Sequence, residues 1–235
     1  MRPTLVLIGL IGCSVTVSAQ TLSVPISVKT LNDRPMVSLV NTKDSQIEAF
    51  LVTVDVAKAG KRLTRLYFDA HTYYRHDRPI PTGNSKEIPL PHVVGEDLPV
   101  PEIRAVIFSD GTTIGDGIWV EELLQRRRIV SDRLQEVVAI LRDASKQNLT
   151  GEQTVAKLRG AQETRRHLSL QQTPEEQVLQ EMIFIDAIKT LQNGSQGAES
   201  SSALNAKIER LCKVFGDWST DIQTAKPSLA IPASR

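Results

Sequence analysis

The stretch AVIFSDGTTIGDGIWVEELL, residues 105–124, holds the point at which the chain changes its hydrophobic period. Before it, apolar residues alternate or run in short β-branched blocks. After it, they recur every three or four residues. EIRAVIFS (102–109) is apolar on both faces, as a strand buried on two sides requires. Asp110-Gly111 is a favoured hairpin pair, because glycine reaches positive φ without steric cost. Asp116 stands where a helix N-cap belongs, its carboxylate placed to accept from the first free N–H groups. Glu121 and Glu122 follow near the positive end of the helix dipole.

The same residues trace the outline of a calcium loop. Aligned as an EF-hand, Asp110 takes position 1, Gly115 position 6 and Glu121 position 12. Thr112 and Ile114 then fill positions 3 and 5, and isoleucine brings no side-chain oxygen to a cation. AVIF also reads as a strand where an EF-hand needs a helix. The stretch is therefore read as strand, turn and helix cap, with Trp119 expected to pack the helix against the sheet.

Toward the N-terminus the period stays near two. Val24, Ile26 and Val28 point one way and Pro25, Ser27 and Lys29 the other. MVSLVN (36–41), a polar turn at 42–45, IEAFLVTVDV (47–56) and RLTRLYFD (62–69) continue the series. In the longest of these, Phe50, Val52, Val54 and Val56 share one apolar face. Short strands at this spacing predict an antiparallel β-sandwich over residues 20–115, immunoglobulin-like in outline. Between residues 70 and 101 the strand signal lapses, and six of the twelve prolines fall there. Proline lacks the donor a central strand must supply, so loops and edge strands are expected, either a binding surface or a plain connection.

Toward the C-terminus, Val120, Leu123, Val130, Leu134, Val137 and Leu141 form one stripe, interrupted by Arg127. That spacing predicts a helix over 117–146, about 45 Å long at 1.5 Å per residue. Thr150-Gly-Glu-Gln153 offers a capping box for a second helix. Thr173-Pro174-Glu175-Glu176 starts a third, which stops at Asn193-Gly194. After a Gly/Ser-rich link (194–202), Leu204, Ile208, Leu211, Phe215 and Trp218 mark a fourth. The fold class is α+β: a sandwich over 20–115, a helical region of four helices over 116–223, and a loose tail over 224–235. Arg126-Arg127-Arg128 do not share a helix face, since neighbours point about 100° apart. Arg127, lying on the apolar stripe, is expected to cover apolar neighbours with its stem and reach outward with its charge. It should sit near a carboxylate or at the junction of the two regions.

Residues 1–19 read as an export signal. Arg2 precedes the apolar run Leu5–Gly12, and Val17-Ser18-Ala19 is a small-residue cleavage site. The run is too short for a spanning helix of ~20 residues. Leu10-Ile11-Gly12-Cys13 supplies the alternative, a lipoprotein anchored through Cys13. Cleavage after Ala19 leaves Cys212 as the one cysteine, which excludes an intramolecular disulfide; its place beside Leu211 marks it as a packed residue.

Charge offers no nucleic-acid footprint, because residues 20–115 carry 11 basic and 11 acidic side chains and residues 116–235 carry 16 of each. Nucleophile elbows and phosphate-cradling loops are missing from the sequence. His71, His76, Asp77 and His92 are the sole candidate metal cluster, and their spacing in a loop points to scattered surface histidines. Nothing fixes Glu87 or Glu96 as a general base beside them, and His167 stands alone as a solvated residue. No catalytic, cofactor-binding or metal-ligating residue is assigned. The pattern A-V-I-F-S-D-G-T-T-I-G-D-G-I-W-V, followed by a long charged helix, resembles uncharacterised exported bacterial proteins. That resemblance implies the architecture and a bacterial origin, in which the sequons at Asn148 and Asn193 carry no glycan. The expectation is a non-catalytic envelope or secreted protein that binds a protein or glycan partner, with no transmembrane helix. The alternatives are a polymer hydrolase using carboxylates or histidines, and a homo-oligomer built through the long helices.

Overall fold

The computed structural model describes residues 24–31, 34–56, 62–72, 77–90, 100–168, 174–193 and 200–225. Residues 1–19, read as an export signal, lie outside the described residues with Cys13 among them, as do Thr173, His76, His92, Glu96 and the tail beyond 225. Among the described residues, seven strands precede four helices: β1 (Ile26–Leu31), β2 (Arg34–Val40), β3 (Ile47–Val56), β4 (Arg62–Asp69), β5 (Ser85–Pro89), β6 (Pro101–Phe108) and β7 (Thr113–Gly115), then α1 (Gly117–Lys146), α2 (Gly151–Leu168), α3 (Pro174–Gln192) and α4 (Ser201–Thr224). The fold is α+β, with every strand pairing antiparallel.

The strands form two sheets, ordered β1-β2-β5 and β4-β3-β6-β7. Val37 and Leu39 of the first sheet meet Phe50, Val52, Val54, Phe68, Val106 and Phe108 of the second in one cluster. Phe50 and Phe68 stack there at a centroid distance of 5.2 Å. Burying a side chain of that size contributes about 2–3 kcal/mol, so these rings dominate the cluster. Asn41, fully buried, fixes the step from the first sheet to the second. Its Nδ2 donates to the carbonyls of Ser45 and Ile80 at 2.9 and 2.8 Å, and its Oδ1 accepts from Lys43 N–H.

β3 departs from the one-faced strand its alternation predicts. Ala49 and Leu51, on the opposite side from Phe50 and Val52, are also fully buried. With Ala105 and Ile107 of β6 they form a second face, covered by Val120, Leu123 and Leu124 of α1. Trp119 is half-buried against this cluster, beside Tyr67, which answers its expected role. The first half of α1 thus packs on a sheet. Its second half, from Val130 to Leu141, enters a helical core with Leu158, Phe184, Leu191, Ile208 and Phe215. One helix belongs to both regions, and the boundary at 115/116 is a change of period rather than a break in packing.

The opening stretch folds as its chemistry requires. Gly111 N–H donates to Phe108 C=O at 3.0 Å, and Gly111 has φ 83°. The Asp110 side chain accepts from both the N–H and hydroxyl of Thr112. The turn returns as β7, a three-residue strand too short for its pattern to announce. Gly115 has φ 109°, and a Cβ there would stand 2.0 Å from the Arg104 carbonyl oxygen, so no other residue fits. Asp116 caps α1, accepting from Ile118 N–H at 3.0 Å. Glu121 and Glu122 lie beyond the first turn and serve Arg128 and Tyr67 instead of the helix dipole. The Thr150–Gln153 box forms reciprocally, and Ser200 caps α4.

β5, which ends at Pro89, is an edge strand in the proline-rich stretch, as that composition demands. α4 runs antiparallel to α1. The pairs Arg127–Ala225, Ser131–Ser219, Cys212–Val138 and Ser145–Asn205 follow in opposite order along the two helices.

Candidate functional site

Where the starts and ends of strands meet the helices, ionisable side chains converge out of water. Arg127 is 2% exposed, and all five of its guanidinium N–H groups are used. Nε and Nη2 reach the Asp69 carboxylate at 2.8 and 3.2 Å, a forked arrangement. Nη1 and Nη2 each lie 3.3 Å from Glu48 Oε2, and Nη1 also donates to the Ala225 carbonyl at 2.6 Å. Asp69 closes β4, Glu48 is the second residue of β3, Arg127 lies in α1 and Ala225 caps α4. The outward reach expected of Arg127 is therefore corrected. Its charge turns inward because two carboxylates and a helix C-terminus wait there, while its place at the junction stands.

His71 follows β4. Its N–H donates to Asp69 Oδ1 at 2.9 Å, and its carbonyl accepts from Trp218 Nε1 at 2.5 Å. The imidazole Nε2 lies 3.4 Å from Glu48 Oε2 but makes no hydrogen bond, being close without being aligned. Beside this group opens a cleft of about 300 Å³, lined by Glu48, His71, Ser109, Asp221 and Thr224 among others. Ser109 Oγ is hydrogen-bonded to Ser45 Oγ at 3.0 Å. The cleft is where the second sheet, the β6–β7 turn and the end of α4 come together.

A second cluster locks α1 to the outer face of the four-stranded sheet. Glu122 accepts from the Tyr67 hydroxyl and from Arg65 Nη1, the latter at 3.0 Å. Arg126 is buried over the Tyr67 ring at 3.8 Å, and Arg65 lies 5.2 Å from the Trp119 ring centre. Burial, together with the Glu122 carboxylate, pushes the Tyr67 phenol up to about 12. Arg126, Arg127 and Arg128 thus take three separate duties, as their helical spacing dictates.

The histidine and aspartate positions weighed as a metal cluster do not converge among the described residues. Asp77 pairs with Lys86, and His71 belongs to the junction. No group of three histidine, cysteine, aspartate or glutamate side chains suited to a metal occurs among the described residues. His167 is exposed beside Glu163. Cys212 is buried with Sγ 3.9 Å from the Val138 carbonyl, and burial pushes its thiol up, which disfavours the nucleophilic thiolate.

No protein-family model, curated protein or solved structure matches this chain. No helix among the described residues is long and apolar enough to cross a membrane.

Arg127 stands out in the sequence by its misfit on an apolar stripe. Glu48 carries the same signal, less visibly, since it falls on the alternation of Phe50, Val52 and Val54. Two opposite charges, each on an apolar stripe of a different element, are a pair in waiting.

Proposed function

We propose that this is an exported, non-catalytic binding module of the cell envelope, in which an immunoglobulin-like sandwich meets a protein or glycan partner and the helices support it. The observation that carries the reading is the placement of α4 and the second half of α1 at one end of the sandwich, beyond the sheet face that the first half of α1 covers. Glu48, Asp69 and Ser109 lie at the end closed by α1 and α4. The strand ends Leu31 and Arg34, Val56 and Arg62, and Pro89 and Pro101 gather at the opposite end. These strand ends lie away from α4 and the helical core, and the ends of a rigid sandwich are where partners are commonly met. The strand order supports the immunoglobulin-like part of the proposal, with β2 beside β5 and β3, β6 and β7 side by side.

The hydrolase alternative draws less support. Of the carboxylates nearest the cleft, Glu48 and Asp69 are held by hydrogen bonds from Arg127, which leaves them little freedom to reach a substrate. A photoreactive residue in place of exposed Arg34, at the remote end, tests the reading in intact cells. It should capture one reproducible partner, identified by mass spectrometry, while the same residue in place of Arg159 on α2 captures none. Capture from Arg159 alone, or from neither position, overturns it. Amino-terminal sequencing of the processed protein tests export, with residue 20 expected first and lipidated Cys13 as the contrary result.

A further inference from the structure

The junction group is unbalanced in charge. One guanidinium, Arg127, faces two carboxylates, Glu48 and Asp69, and all three side chains are nearly withdrawn from water. A buried net charge is costly, and the surrounding structure is under pressure to neutralise it. His71 is the nearest group able to do so: its Nε2 stands 3.4 Å from Glu48 Oε2 and has no hydrogen-bond partner.

We propose that His71 is a proton-operated latch that tightens the joint between the sheets and the helices as the surroundings become acidic. The neutral ring carries a hydrogen on Nε2 in one of its two tautomers, whereas the imidazolium always carries one. On proton uptake the ring can donate to Glu48 and bring the group to two cations and two anions. The groups facing it are Glu48 from β3, Asp69 from β4, Arg127 from α1 and Asp221 from α4, which lines the same cleft. Three of these four are acids, and Arg127 is already shared between two of them. The effect reaches the helices directly, because the His71 carbonyl holds the indole of Trp218 on α4. An exported protein meets surroundings whose acidity the cell does not buffer, so a joint that stiffens there suits the location proposed above, though the latch does not depend on it.

Thermal unfolding of the whole protein and of His71→Gln, compared from about pH 8 to about pH 5.5, isolates the latch from the other histidines. This window lies above the range in which ordinary carboxylates take up protons. The margin of the native protein over the variant should widen by about 2–4 °C toward the acid end. A margin that stays constant or narrows overturns the proposal. Should His71→Gln fail to fold, the indole N–H resonance of Trp218 in the native protein decides instead. It should move across the same pH interval, and an unmoved resonance overturns the latch.

Discussion

Replacing Arg127 by methionine keeps the length and apolar stem of the side chain and removes its charge and all five hydrogen bonds. Glu48 and Asp69, both less than a tenth exposed, are then left facing each other with no counter-charge. The Ala225 carbonyl at the end of α4 also loses its donor. Breaking a buried ion pair from one side costs about 3–5 kcal/mol, because the stranded charge keeps its desolvation penalty and loses its attraction. A protein of this size has about 5–15 kcal/mol to lose, so the variant should be folded but visibly weakened. Its Tm should fall by about 6–20 °C at roughly 2–4 °C per kcal/mol. Urea unfolding followed by circular dichroism measures the loss. Adding Glu48→Gln and Asp69→Asn to the same chain should recover at least half of it. The stranded charges are then gone, and the amide that replaces the Asp69 carboxylate keeps an oxygen for the His71 N–H. Arg127→Lys should fall between, a single ammonium being unable to fork onto one carboxylate while holding another. A loss below about 1 kcal/mol for Arg127→Met is the level of a solvated surface pair and would refute the reasoning.

Gly115→Ala should cost at least about 2 kcal/mol, because its Cβ would overlap the Arg104 carbonyl at a positive φ; denaturant unfolding matching the native protein would contradict the β6–β7 geometry. Tyr67, with its phenol pushed up to about 12, should stay neutral when ordinary tyrosines ionise near pH 10, and ultraviolet absorbance should show its step near 12. The folded value lies above the unfolded one, so the stability it contributes is complete below about pH 10 and is lost as pH rises toward 12. Cys212 should react with a thiol reagent slowly in the native state and rapidly in urea; equal rates would place it at the surface. Calorimetric titration with calcium should give no saturable heat, and tight binding abolished by Asp110→Ala would restore the loop reading rejected for residues 110–121.

The helices were legible because local rules govern them. The span of α1, the Asp116 cap, the Thr150 box and the stripe of α4 follow from spacing within one element, and each appears where that spacing puts it. The turn at Asp110-Gly111 is local in the same sense. β7 was not legible as a strand, and β5 was legible only as an edge strand somewhere in the proline-rich stretch. Each is short, and a strand's hydrogen bonds come from a partner far along the chain, so three or five residues carry too little pattern of their own. The second buried face of β3 was hidden for a related reason: small Ala49 and mid-strand Leu51 become core only once α1 lies over them.

Sequence by itself determined the two hydrophobic periods, the place where one gives way to the other, and the misfit of a charge at position 127. Tertiary structure alone decided that Arg127 turns inward, that Glu48 and Asp69 arrive from separate strands to meet it, and that one helix serves both a sheet and a bundle. Periodicity reports which face of an element avoids water. It does not report which other face comes to cover it, and the charge at the junction takes its meaning from that second fact.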